Sequence, residues 1–214
     1  MRRVFLLWTF LLAGRASWAQ TAEAVPPPTP ARHAYCLLGP TVLFADDGRT
    51  YFGVDFGVGG LVSRRLAIGG TLSISGRRNI ATNYGYQATA PEVGLYSLQA
   101  STRLMLADAA FCRLELLNGI GYGAACLFDR DRTVQTTTRT STGGTITNSQ
   151  PLRVALSEHL LLEAGLSLTF KLWRGPWLTT QFSRRQFMGS SEFGGPNGFS
   201  HWIGTIGVSL PNGW

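Results

Sequence analysis

Hydrophobic and polar residues alternate along most of the chain with a period of two. In the stretch FGVDFGVGG, Phe52, Val54, Phe56 and Val58 take one parity, while Gly53, Asp55, Gly57 and Gly59 take the other. Successive side chains of an extended strand point to opposite faces, so this stretch has one apolar face and one small, polar face. The alternation recurs and predicts eight strands, at roughly 34–45, 50–62, 66–77, 91–107, 111–128, 151–172, 177–187 and 200–211. Even positions are mostly apolar (Ile68, Leu72 and Ile74; Leu116, Ile120 and Tyr122; Ile206, Val208 and Leu210), and odd ones are rich in Gly, Ser and Thr. No helical period competes after the first 19 residues.

The connections add direction. Ser63-Arg64-Arg65, Asp108–Ala110 and Trp173-Arg174-Gly175-Pro176 are short, and between them lie the longer Arg78–Ala90, Asp129–Gln150 and Gln186–Phe199. Only Asp46-Asp47-Gly48-Arg49 is short where the pattern asks for a long loop. Several strands exceed the ~9–11 residues that cross a bilayer at a tilt. The expected fold is therefore all-β: an eight-stranded antiparallel up-and-down transmembrane β-barrel with short periplasmic turns and longer external loops.

Composition supports that choice of faces. Charged residues make up 14% of the chain, against about 25% in an ordinary soluble protein, and Lys171 is the single lysine. The polar faces are not those of a sheet that meets bulk water. Within the strands the odd face carries Asp55, Arg103, Arg113, Glu115, Glu163 and Lys171, a neutral set of three acids and three bases. Neutral pairing is what a narrow barrel interior requires, since an unpaired buried charge is costly. Folding about Asp108–Ala110 sets Arg103 opposite Glu115, and Asp55 then needs a base, with Arg103, Arg113 and Lys171 as candidates. The alternative is that all six are solvent-facing charges on a soluble sheet.

Glycine-spaced strand segments, Gly57-Val58-Gly59-Gly60 and Gly119-Ile120-Gly121-Tyr122-Gly123, stand beside Leu161-Leu162-Glu163-Ala164-Gly165-Leu166-Ser167-Leu168 and the terminal Trp214. In these features the chain resembles the small eight-stranded outer-membrane barrels of OmpA and OmpX type, and the outer-membrane beta-barrel domain proteins common in Bacteroidetes. The resemblance implies assembly by the barrel-assembly machinery, which reads a C-terminal strand ending in an aromatic residue. Here Pro211-Asn212-Gly213 separates Trp214 from the alternating run.

The ends give the compartment. Arg2 and Arg3, the apolar run Val4–Ala13 and Ser17-Trp18-Ala19 read as a cleavable signal peptide over 1–19. A Pro-rich lead-in follows over 20–33, and then the barrel domain over 34–214. Loss of Arg2, Arg3 and Arg15 lowers the net charge from +7 to +4; scattered basic residues on an exported chain argue against nucleic-acid binding. Cys36, Cys112 and Cys126 have neither an even count nor CxxC spacing, so they are read as small hydrophobes.

Candidate chemistry is sparse. Gly119-Ile120-Gly121-Tyr122-Gly123-Ala124 matches G-x-G-x-x-[GA] but precedes no helix, so no dinucleotide cofactor is expected. Ser157 and His159 share a face about 6–7 Å apart, with Glu163 about 13 Å further along, too far for a triad; a lipid-modifying barrel enzyme is the catalytic alternative. No His/Cys/Asp cluster has metal-ligand spacing. Arg77, Arg78, Arg184 and Arg185 form a candidate rim for glycolipid phosphates, and Trp173, Trp177 and Trp202 suit interfacial girdles. The Thr-rich stretch 133–148 reads as a solvated loop, with a protruding β-edge as the alternative. These readings converge on a monomeric barrel of a Gram-negative outer membrane, plugged by side chains. It is expected to contact outer-membrane lipids and lipopolysaccharide, with a structural or surface-interaction role in envelope integrity or adhesion and no catalytic activity. A soluble periplasmic barrel holding a hydrophobic ligand is the other alternative.

Overall fold

The computed structural model describes residues 34–46, 48–78, 80, 81, 84–139, 141, 144–172, 176–189, 192–194 and 198–211. The expected signal peptide, the lead-in, Trp173 and Trp214 lie outside the described residues. Eight strands follow in order: β1 Ala34–Ala45, β2 Thr50–Leu61, β3 Leu66–Arg77, β4 Pro91–Asp108, β5 Cys112–Arg139, β6 Thr145–Phe170, β7 Trp177–Met188 and β8 His201–Pro211. Each pairs antiparallel with its sequence neighbours, and β1 pairs with β8 from Tyr35↔Pro211 to Ala45↔His201, which closes the barrel. No helix among the described residues is long and apolar enough to cross a membrane. Closure leaves no sheet edge within the barrel wall.

Period-two alternation sets the faces. Phe52 is 66% exposed and Val54, Phe56 and Val58 also point outward, whereas Asp55 is 2% exposed. Leu72, Ile74, Ile120, Leu162, Leu166, Ile206 and Val208 continue the outward apolar surface around the wall. Twelve residues at about 3.3 Å each, tilted by about 40°, rise about 30 Å, the thickness of a hydrocarbon core.

The interior is filled in layers. At the long-loop end, Leu43, Tyr51, Leu95, Leu161 and Phe187 form an apolar cluster with Ile80, Phe193 and Phe199 from the connections. Below it lies a layer of charged and hydroxyl side chains, and Tyr35 fills the short-turn end. Glycines make room for the rings: a Cβ at Gly123 would lie 2.5 Å from Phe187, and one at Gly59 would lie 2.5 Å from Tyr35. Gly119, Gly121 and Gly123 therefore sit inside a continuous strand, β5, with no helix after them.

Six strand ranges agree with the sequence pattern within one residue, but β5 and β6 run much further. Thr133–Arg139 pairs with Thr145–Pro151, so most of the stretch read as a loop between Asp129 and Gln150 is a two-stranded ribbon beyond the wall. A register shift between Asp129 and Thr133 marks its base. Both ribbon faces are exposed, so threonine propensity and backbone pairing hold it as strand rather than burial.

Candidate functional site

At mid-barrel, β2, β6 and β7 bring Asp55, Glu163 and Arg185 together. Arg185 Nη2 donates to Asp55 Oδ2 at 3.0 Å, and its Nε donates to Glu163 Oε2 at 2.8 Å. Thr205 donates to Asp55 at 3.2 Å, while Ser183 and Gln99 both donate to Glu163. One guanidinium thus serves two carboxylates, and the hydroxyls and amide supply the remaining contacts that make buried ion pairs tolerable. This corrects two expectations. Arg185 belongs to the interior, at 2% exposure, and not to the rim. It also supplies the base for Asp55 that Arg103, Arg113 and Lys171 were expected to supply. Alternation puts the adjacent Arg184 and Arg185 on opposite faces, and Arg185 stands directly across from Glu163.

The remaining interior charges lie toward the short turns. Arg103 sits 3.6 Å from Glu115 and packs its guanidinium 4.4 Å from the centre of the Tyr35 ring. The contact is diagonal: the hairpin turns over Ala109–Cys112, later than expected, so Arg103 pairs with Leu117 and Glu115 stands across from Met105. Arg113 and Lys171 both reach Asp108 at the mouth, and Lys171 also donates to Ala109 O at 2.8 Å. Trp177 lies against these two cations, 5.2 Å from Arg113 and 5.8 Å from Lys171. Its odd parity turns it to the barrel mouth, not to a lipid-facing girdle as expected. Trp202 does face outward, stacked on Phe182 at 5.1 Å with Arg184 over its ring.

At the long-loop end the β7–β8 connection folds into the mouth. Ser157 Oγ accepts from the backbone N–H of Glu192 at 2.8 Å and of Phe193 at 3.3 Å. His159 packs against Phe187 and Phe199, and His201 Nδ1 meets Phe199 O at 2.6 Å. The Ser157–His159 candidate for hydrolysis therefore sits under an aromatic cap, inside the wall, with its hydroxyl engaged by the loop. Among the described residues no group of three or more His, Cys, Asp or Glu is placed to hold a metal ion.

Several separate contacts are built among the described residues of the rim. Arg184 forks onto both carboxylate oxygens of Asp46, and this hydrogen bonding holds the Asp46 carboxyl below its ordinary range. Asp129, fully buried, accepts from Thr89 N and Ala90 N at 3.1 Å and from Asp131 N at 3.2 Å, with Arg132 3.4 Å away. Burial pushes its pKa up, but the three amides and Arg132 outweigh it and hold the carboxyl below the aspartate range. Sequence reading missed Asp129; its signal was an aspartate two residues before another polar loop position, a common geometry for bonding a nearby backbone N–H. On the β2–β4 side, Arg78 and Arg130 share Glu92 at 3.7 and 3.8 Å. Arg77, Arg78 and Glu92 line an open cavity of about 700 Å³ together with Gly48, Thr50, Phe52 and Gly76. Of the four arginines expected at a phosphate rim, Arg77 and Arg78 are thus grouped, Arg184 is bound to Asp46 and Arg185 is inside.

No protein-family model matches the sequence, and no curated protein matches it. Solved structures do. Neisserial surface protein A is similar at TM-score 0.52 and 10% identity, over 83% of this chain and 94% of that one. A major outer membrane protein from Thermus thermophilus is similar at TM-score 0.50 and 12% identity, over 85% of this chain and 99% of that one. Likeness at this identity carries the fold: the chain has the closed eight-stranded antiparallel architecture of small outer-membrane β-barrels.

Proposed function

We propose that the protein is an integral outer-membrane barrel whose sealed interior is a scaffold for contacts made at the cell surface. The observation that carries this reading is the inversion of its faces. Large apolar side chains cover the outside of the wall, while Asp55, Glu163, Arg185 and a set of hydroxyl residues fill the inside. Water as solvent would leave this outer surface far larger than the few hundred Å² of apolar patch a soluble monomer exposes. A bilayer reverses the preference, and closed barrels are the β-structures that span one. The descriptions of the two similar barrels, a surface protein and an outer-membrane protein, favour the same location.

The interior argues for a scaffold and against conduction. The apolar cluster and the ion-paired layer close it at two levels, and eight strands enclose only enough space for side chains. Surface contact then falls to the loops, above all to the β5–β6 ribbon. Its exposed strand edges suit pairing with an extended segment of a partner. The test is outer-membrane fractionation followed by detergent electrophoresis. The folded chain is expected in the membrane fraction, migrating differently before and after boiling. Recovery in the soluble fraction with boiling-independent migration refutes the reading.

A further inference from the structure

The cavity on the β2–β4 side sits where the apolar wall meets the rim, and its floor is unusual. Along the outward face, Phe52 pairs with Gly76, Gly76 with Gly94 and Gly94 with Cys126. Two adjacent glycines therefore interrupt the top row of an otherwise bulky surface. Gly94 is covered by the rings of Tyr96 and Phe128, but a Cβ at Gly76 would meet only Val93 O at 3.4 Å and Glu92 Oε1 at 4.0 Å. The dent is open, walled by Phe52 and roofed by Arg77, Arg78 and Glu92.

Its charge is as uneven as its shape. Arg78 holds Glu92 only at 3.7 Å and keeps 73% of its side chain exposed. Arg130 meets the same carboxylate from the other side at 3.8 Å. The charged residues that line the groove, Arg77, Arg78 and Glu92, carry a net charge of +1. An occupant that suits it offers a chain to lie along Phe52 and Gly76 and an anion with enough oxygens for the two guanidiniums above. A phosphomonoester carries about −1.5 to −2 at neutral pH and accepts bidentate guanidinium contacts. A carboxylate has two oxygens, enough for one such contact.

We infer that this groove binds a phosphate-bearing membrane lipid, with the phosphate under Arg77 and Arg78 and an acyl chain along Phe52 over Gly76. The inference rests on the outer-membrane reading and assigns the lipid contact to one place on the wall. It leaves Arg184, forked onto Asp46 on the opposite side of β1, outside the site.

Native mass spectrometry of the full barrel released from detergent tests it, with bisphosphorylated lipid A as the probe and phosphatidylcholine as the neutral control. The wild type retains one lipid A and no phosphatidylcholine. Arg77→Ala with Arg78→Ala lowers retention by about tenfold or more, as loss of charge-assisted contacts implies. Gly76→Leu fills the floor without touching a charge and lowers it as well. Arg78→Lys keeps the charge but not the fork and falls between. Each variant is first shown to migrate like the wild type before and after boiling, so a folding defect is not read as lost binding. Equal retention by wild type and the double variant, or equal retention of phosphatidylcholine, overturns the site. Retention unchanged by Gly76→Leu but lost in the double arginine variant overturns the acyl contact, and with it the lipid as ligand, and leaves an anion site. A wild type that is soluble without detergent defeats the membrane reading instead, a distinct failure.

Discussion

Arg184 and Arg185 are neighbours in sequence and strangers in space. One forks onto Asp46 outside the wall, and the other bridges Asp55 and Glu163 inside it. Parity alone separates them, and the odd-face rule that found Asp55 and Glu163 applies equally to Arg185. What hid it was adjacency: a pair of arginines near a strand end reads as a rim. Removing Arg185 leaves two buried carboxylates facing each other, so Arg185→Met should destabilise the barrel by about 3–5 kcal/mol in urea unfolding. Asp55→Asn and Glu163→Gln added to Arg185→Met should restore much of that loss, because a neutral interior has no uncompensated charge. No recovery in the triple variant counts against the ion-paired layer. At the rim, Asp129 has a folded pKa below its unfolded one. Its contribution is therefore complete above the ordinary aspartate value of 3.8 and is lost as pH falls through the lower folded value. The amide shifts of Thr89, Ala90 and Asp131 should titrate together with one midpoint below 3.8. Independent midpoints would mean that the carboxylate does not clamp them.

At the scale of elements, alternation located every strand that has an inside and an outside. It failed where both faces meet water. Beyond Asp129, the ribbon strands carry Thr, Gln, Ser and Asn on both parities, so no period of two in hydrophobicity remains to be seen. Threonine's preference for extended backbone was the available signal, and a solvated loop explained it equally well. The bulge between Met105 and Ala107 was likewise illegible, since one extra residue leaves no mark in composition; it moves the partner of Arg103 from Asn118 to Leu117, and the later turn leaves Glu115 two positions away yet still in contact. Two expectations follow for these elements. Replacing residues 132–150 by a short turn should leave the barrel's unfolding midpoint and heat-dependent migration unchanged, because the ribbon buries little. A large drop in the midpoint would show that the ribbon supports the wall. Gly123→Val should cost about 1–3 kcal/mol in the same unfolding assay, since its side chain must displace the Phe187 ring packed against it.

The whole molecule is held together by an inversion: a surface a soluble protein would bury and a core it would expose. Closure, strand number and face assignment were legible because they rest on one repeated pattern. The groove above Phe52 and the cap formed by Phe193 and Phe199 were not, because each depends on which side chains meet across strands distant in sequence. The face assignment is the central claim, and the stretch FGVDFGVGG measures it most directly. With Cys36, Cys112 and Cys126 replaced by serine, nitroxides are placed singly at positions 52 to 59 in lipid vesicles. Collisions with oxygen, which concentrates in the bilayer, should be high at 52, 54, 56 and 58 and low at 53, 55, 57 and 59. A water-soluble nickel chelate should reach none of the even positions in the middle of the run. High nickel accessibility at 54 and 56 with low oxygen accessibility would contradict the account, because it would put the Phe and Val side chains in water.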